Sequence, residues 1–222
     1  MNKIWKVSAG ENCSTSIDWA NWGNIVPYGA PYRDVNNNGQ YDPCTDIPGM
    51  RNASQTLFMI LTDGYPNTHR PGEGFGGGTL PLNCDLKITA YTYGDTNLSN
   101  VQFIKYDIIN RGNSAWNNLY MALVGDYDIG FAEDDFLCMD SARNMWIGYN
   151  GDNIDGTGSP PTYGVNPPAV GMRVLKFPVN KTVSPYDTLK PSVGLKTSCG
   201  GCSDPFCEWA PNGEPNGEYL IM

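Results

Sequence analysis

Val101-Gln-Phe-Ile-Lys-Tyr-Asp-Ile-Ile-Asn110 is the stretch on which the fold turns. Ile104, Tyr106 and Ile108 fall on one side of an extended chain, with Lys105 and Asp107 on the other. A period of two predicts a strand with one apolar face. Asn110-Arg-Gly-Asn-Ser closes it with turn formers. Upstream, Leu86-Lys-Ile-Thr-Ala-Tyr-Thr-Tyr93 carries β-branched and aromatic residues and ends at Gly94-Asp95. Leu57-Phe-Met-Ile-Leu-Thr62 is a continuous apolar run that predicts a buried strand. Downstream, Leu119, Met121 and Leu123 alternate with Tyr120, Ala122 and Val124, and Val170, Met172 and Val174 are in phase within 169–177. Ile4, Trp5 and Val7 start a further strand, and 24–31 reads as an extended, proline-punctuated lead. Strands at roughly ten-residue spacing predict an all-β chain. The type expected is an antiparallel β-sandwich, jelly-roll or immunoglobulin-like, with long Gly/Pro/Asn-rich loops.

Composition agrees. Of 222 residues, 17% are charged and 40% apolar, with 26 Gly and 17 Pro, which favours sheets with long loops over helices. The net charge of −9 argues against nucleic acid as a partner, which needs a basic footprint. No apolar run approaches the roughly 20 residues of a membrane span, so no membrane insertion is expected. The first residues lack the apolar stretch of a signal peptide. Residues 218–222 end inside an apolar run without a turn or polar tail, so a piece of a longer protein or a processed product is expected.

The clearest chemistry lies in Asp34-Val-Asn-Asn-Asn-Gly-Gln-Tyr-Asp-Pro-Cys-Thr-Asp46. Asp34, Asn36 and Asn38 with Gly39 follow the D-x-N-x-N-G register of an EF-hand-type calcium loop, and Gln40, Asp42 and Asp46 add oxygens. The pattern departs from an EF-hand at position twelve, where Thr45 replaces Glu, and at Pro43, which forbids an ordinary exiting helix. A calcium-clipped loop between non-helical segments is expected, with Ca2+ as the cofactor. A second oxygen-rich patch spans Gly125-Asp-Tyr-Asp-Ile-Gly-Phe-Ala-Glu-Asp-Asp135 and Tyr149-Asn-Gly-Asp-Asn-Ile-Asp155. Carboxylates this dense repel unless a cation or solvent screens them. Asp126, Asp128, Asp134, Asp135, Asn150 and Asp152 are the candidate ligands of a second calcium site between loops.

Other signals are weaker. Gly72, Gly74 and Gly77 form a G-x-G-x-x-G without a following helix, so nucleotide binding is rejected. Seven cysteines, at 13, 44, 84, 138, 199, 202 and 207, point to disulfides in an oxidising, extracellular setting, with an odd one over and no connectivity deducible. Zinc at Cys199, Cys202 and Cys207 lacks an obvious fourth ligand, and Ser203 excludes haem attachment.

Several of these segments also carry a resemblance. They are 29–43, 72–82, 102–112, 125–136, 148–152 and 166–171. Together they resemble the central region of large secreted surface proteins of Bacteroidota and Ignavibacteria-like bacteria, of the type IX secretion cargo type. The resemblance spans roughly residues 4–175 and implies location and architecture, not an activity. Asp140-Ser-Ala142 and Asp187-Thr-Leu189 look like the short O-glycosylation sequon of Bacteroidota.

Catalysis is the less favoured outcome. His69 is the only histidine, which leaves a carboxylate pair of the glycosidase kind, drawn from Glu73, Asp126, Asp128, Glu133 and Asp135. These acids are packaged with Gly and Asn as in metal loops. The expected organisation is a β-sandwich domain over 1–177, with calcium-type loops, followed by a Cys/Pro/Gly-rich loop segment, 178–222, packed on or continuing it. The expected function is a calcium-stabilised extracellular or cell-surface module with a structural, adhesive or assembly role. Its partners would be surface glycans, other surface-protein chains or its own copies. The alternatives are a carbohydrate-active protein, using Trp5, Trp19, Trp22 or Tyr residues as platforms, and an extracellular filament subunit.

Overall fold

The computed structural model describes residues 3–65, 80–95, 97–117, 119, 121–125, 127–140, 142–158 and 162–176, together with the backbone of four short strands beyond them. Its contacts divide the chain into two compact units, Met1–Asn117 and Asn118–Met222.

The first unit is built on a four-stranded antiparallel sheet in the order β1-β4-β5-β6. Its strands are β1 (Trp5–Ser8), β4 (Gln55–Thr62), β5 (Cys84–Thr92) and β6 (Gln102–Asn110). β4, β5 and β6 are neighbours in the order of the chain, whereas the strand expected over 119–124 does not join this sheet. A two-stranded ribbon joins β2 (Tyr32–Arg33) to β3 (Ile47–Pro48). A short helix, α1 (Ile17–Ala20), is capped by Ser16, whose side chain accepts from the Trp19 N–H. Residues 24–31 are not extended. Single 3-10 turns occupy Trp22–Asn24 and Val26–Tyr28, and Gly29 ends the second at φ 101°. Pro27 pre-sets a helical φ there, whereas the sequence pattern took it as a break.

These turns lay Trp22 onto the sheet. Trp22 and Phe58 are fully buried, with Val7, Ile25 and Ala30 around them and Trp5, Trp19, Val26 and Tyr41 packed against the cluster. Trp22 Nε1–H donates to the Pro31 carbonyl at 3.0 Å, so the indole is satisfied as well as buried. β4 is only half-buried: Thr56 and Phe58 are inside, while Leu61 is exposed. The pairing register puts Leu57, Met59 and Leu61 on one face with Leu86, Ile88 and Ala90 of β5 and Ile104, Tyr106 and Ile108 of β6. That face is apolar from strand to strand, yet Leu61, Ile104, Tyr106 and Ile108 remain 37–50% exposed.

The second unit holds a three-stranded antiparallel sheet in the order β10-β9-β8 and another in the order β13-β14-β7. The first comprises β8 (Asp135–Asp140), β9 (Met145–Asn150) and β10 (Ala169–Arg173). Its core holds Ile129, Leu137 and Trp146. The Tyr127 and Trp146 rings lie 4.1 Å apart. The second sheet comprises β7 (Ala122–Gly125), β13 (Gly194–Thr197) and β14 (Glu218–Ile221). β11 (Val179–Asn180) pairs with β12 (Asp187–Thr188). Strands thus stand within the stretch read as loop, and β14 returns to β7.

A disulfide joins Cys13 to Cys44 across 31 residues of sequence, while Cys84 and Cys138 are free. Closing a loop of that length removes denatured-state entropy worth about 3–4 kcal/mol. Reduction, or Cys13→Ser with Cys44→Ser, is expected to lower unfolding stability by that order in urea titrations monitored by tryptophan fluorescence. A loss below about 1 kcal/mol would show that the bridge carries little of the fold's stability.

Candidate metal-binding loops

Residues 34–46 leave β2 and return into β3, so the ribbon closes the base of the loop with no helix on either side. Inside, backbone donors fold the side chains inward. The Asp34 carboxylate accepts from the Gly39 N–H at 2.8 Å and the Asn38 N–H at 3.3 Å. Asn36 Oδ1 accepts from the Asn38 N–H, and Asn38 Oδ1 from the Gln40 N–H at 2.8 Å. Gly39 (φ 79°) and Asn37 (φ 56°) supply the left-handed bends this path requires. Asn36 Nδ2 and Asn38 Nδ2 both reach Asp42 Oδ2, at 2.7 and 2.6 Å, so three of the predicted ligands meet at one point. The two amides present their NH2 groups to that point, while their oxygens are engaged by the Asn38 and Gln40 N–H groups. Position seven of a calcium loop contributes its carbonyl, which here is that of Gln40.

Asp46 works differently from the other acids. It is 1% exposed, and its two oxygens accept from the Val35 and Asp42 N–H groups, each at 2.8 Å. It ties the two limbs of the loop together. Burial, then the nearby Asp46 charge, pushes the Tyr41 hydroxyl pKa up.

The second patch also comes together, in part. Asp135 stands opposite Asn150 in the β8–β9 ladder, and both are buried. Asp135 Oδ2 accepts from the Ile129 N–H at 2.6 Å, and Asp134 Oδ2 from the Gly156 N–H at 2.7 Å. Burial, followed by the charges of Asp134, Asp155 and Asp128, raises the Asp135 pKa to about 6, against the Ile129 hydrogen bond that lowers it. Asp152 is exposed, with Oδ1 taken by the Ile154 N–H. Asp128 is exposed too. Asp126 lies outside the described residues, as do His69, Glu73, the Gly72–Gly77 motif, Ser141 and Cys199, Cys202 and Cys207.

Sequence reasoning missed Asp155 as a structural centre. It is 0% exposed; Oδ1 accepts from the Phe131 N–H at 2.7 Å and Oδ2 from the Tyr163 N–H. Gly130, at φ 81°, has no room for a Cβ, which would sit 1.9 Å from Asp155 Oδ2. The Asp155-Gly156 pair carried a turn signal, but nothing local marks its carboxylate as buried. Beside this region, an open cleft of about 300 Å³ is lined by Tyr127, Asp128, Ile129, Tyr163, Pro168, Ala169 and Val170.

Among the described residues, no three His, Cys, Asp or Glu side chains gather as a metal-binding group. A cation in either loop system would therefore rest on carboxylates mixed with amide and main-chain oxygens, the donor set calcium accepts. Among the described residues no helix is long and apolar enough to cross a membrane. No family model matches the chain, and no curated protein or solved structure matches it either.

Proposed function

We propose that this chain is a calcium-stabilised, extracellular β-sandwich module with a structural, adhesive or assembly role. The observation that carries the reading is the 34–46 loop. Asn36 and Asn38 meet the Asp42 carboxylate and backbone donors fold Asp34 inward, over a base clasped by Asp46 and stapled through Cys44. An oxygen-rich loop of this register, held by a bond suited to oxidising compartments, supports a calcium-clipped reading. The segments resembling secreted bacterial surface proteins agree with such a setting. The apolar face of the β4-β5-β6 sheet supports the sandwich, because a face of this kind is ordinarily buried under a second layer.

Thermal unfolding with and without calcium, alongside elemental analysis of the purified protein, tests this. At calcium one hundred times its Kd, the folded state gains about 2.7 kcal/mol. The midpoint is expected to rise by several degrees, and Asp34→Ala with Asp42→Ala to abolish the loop's share of that rise. No bound calcium and no rise would sink the proposal.

A glycan-binding role is the second reading, and one observation favours it. Tyr163, 62% exposed, lines the cleft together with Asp128 and Tyr127, an arrangement of aromatic surface beside a hydrogen-bond acceptor. Of the tryptophans expected as platforms, Trp22 is buried, and Trp5 and Trp19 pack against the same core. Asp135 has the raised pKa that an acid catalyst needs, yet it is 2% exposed and one oxygen is already bonded to the chain.

A further inference from the structure

The β8–β9 hairpin sets two oxygens on one face of its ladder that the chain itself leaves unsatisfied. Asp135 and Asn150 are direct cross-strand partners, so their side chains leave the same face of the ladder. They are 2% and 7% exposed. Asp135 Oδ1 is buried and meets no hydrogen-bond donor. Asn150 Oδ1 is in the same position. The amide cannot simply be reversed. Its Nδ2 donates to the carbonyls of Asp152, at 3.1 Å, and Ile154, at 3.4 Å, and reversal would turn the Asn150 oxygen onto both. Asp134 adds a third buried oxygen without a donor, Oδ1, while Oδ2 is held by the Gly156 N–H.

Three buried acceptors with no donor among them are unfavourable, since each lost its water on folding. One proton on Asp135 Oδ1, donated to Asn150 Oδ1, would serve two of them, and so would one water molecule. A hard cation serves all three, and it also answers the repulsion among neighbouring carboxylates. We propose that Asp134, Asp135 and Asn150 hold a calcium ion through these three oxygens, with water and main-chain carbonyls completing the shell. Two carboxylates and an amide match the finding that no three acidic side chains converge. Calcium tolerates such an irregular set, whereas magnesium demands a near-ideal octahedron. Asp155 is not a ligand here: both its oxygens are committed to N–H groups, and it braces the surrounding loops. The site uses none of the residues of the 34–46 loop and stands or falls separately from it.

The test uses the full chain. Bound calcium is counted by elemental analysis in the wild type, in Asp34→Ala with Asp42→Ala, and in Asp135→Asn. Asp135→Asn is expected to lose one calcium that the double variant keeps. A single wild-type calcium lost only in Asp135→Asn would remove the first loop's role and leave this site standing. Asp135→Asn with the wild-type count would overturn it. If that variant does not fold, the wild type decides. The Asn150 side-chain amide resonance, assigned by its disappearance in Asn150→Asp, should shift on calcium addition, and a signal unmoved at saturating calcium would overturn the site.

Discussion

Trp22→Ala is expected to destabilise the first unit by about 3–5 kcal/mol, the range for removing a buried aromatic ring. The indole is fully buried and meets Phe58 at 6.5 Å between ring centres. Val7, Ile25 and Ala30 complete the cluster, so its removal opens a cavity on three segments at once. The 3-10 turn that carries Trp22 is held by its own backbone bonds and cannot collapse freely into the space. The substitution also deprives the Pro31 carbonyl of the indole donor, although the Gly49 N–H still reaches it. Pro31 precedes β2, so the base of the 34–46 loop should loosen, and the calcium affinity proposed for that loop should fall with it. Urea unfolding followed by far-ultraviolet circular dichroism, with calorimetric calcium titration of the same variant, checks both outcomes. Trp22→Phe should recover much of the stability, because a smaller ring still fills part of the site. A loss below about 1 kcal/mol in Trp22→Ala would mean that the cluster does not organise the unit.

Asp155→Ala should weaken the second unit by about 2–4 kcal/mol, because two backbone donors lose a shared, charged acceptor. Phe131 and Tyr163 are twenty-four and eight residues away from Asp155 along the chain, so the carboxylate ties one loop to the other. Asp155→Asn replaces one acceptor with an NH2 group and should lose part of the same amount. Gly130→Ala approaches the defect from the other side, since its Cβ would overlap the carboxylate and the residue is held at φ 81°. Hydrogen exchange supplies the specific readout. The Phe131 and Tyr163 amides should exchange faster in Asp155→Ala, whereas a purely global loss would speed all amides of the unit alike. Unchanged exchange at those two amides would contradict the bracing role.

Much of the first unit follows from local pattern. The alternation in 102–110 and the β-branched run in 86–92 specify strands because their apolar residues recur at the strand's own period. The 34–46 loop is similarly legible. Asx residues accept from amides two to five positions ahead, and Gly39 permits the bend, so the turn of the loop is a short-range object. Apolar periodicity does not say how deeply a strand is buried, and so 57–62, continuous in sequence, emerged half-exposed. Nor does it see β8 and β9, where acidic and glycine-rich flanks mask short strands.

What the sequence determined by itself was the sheet-forming character, the turn chemistry and the fold of the oxygen-rich loop, all interactions between residues a few positions apart. Tertiary structure alone decided that Cys13 meets Cys44, that Asp135 faces Asn150, that Asp46 clasps rather than merely lines its loop, and that Asp155 is sealed inside. Those outcomes depend on which segments pack together, and the free energy of packing and desolvation belongs to the assembled chain, not to any window of it.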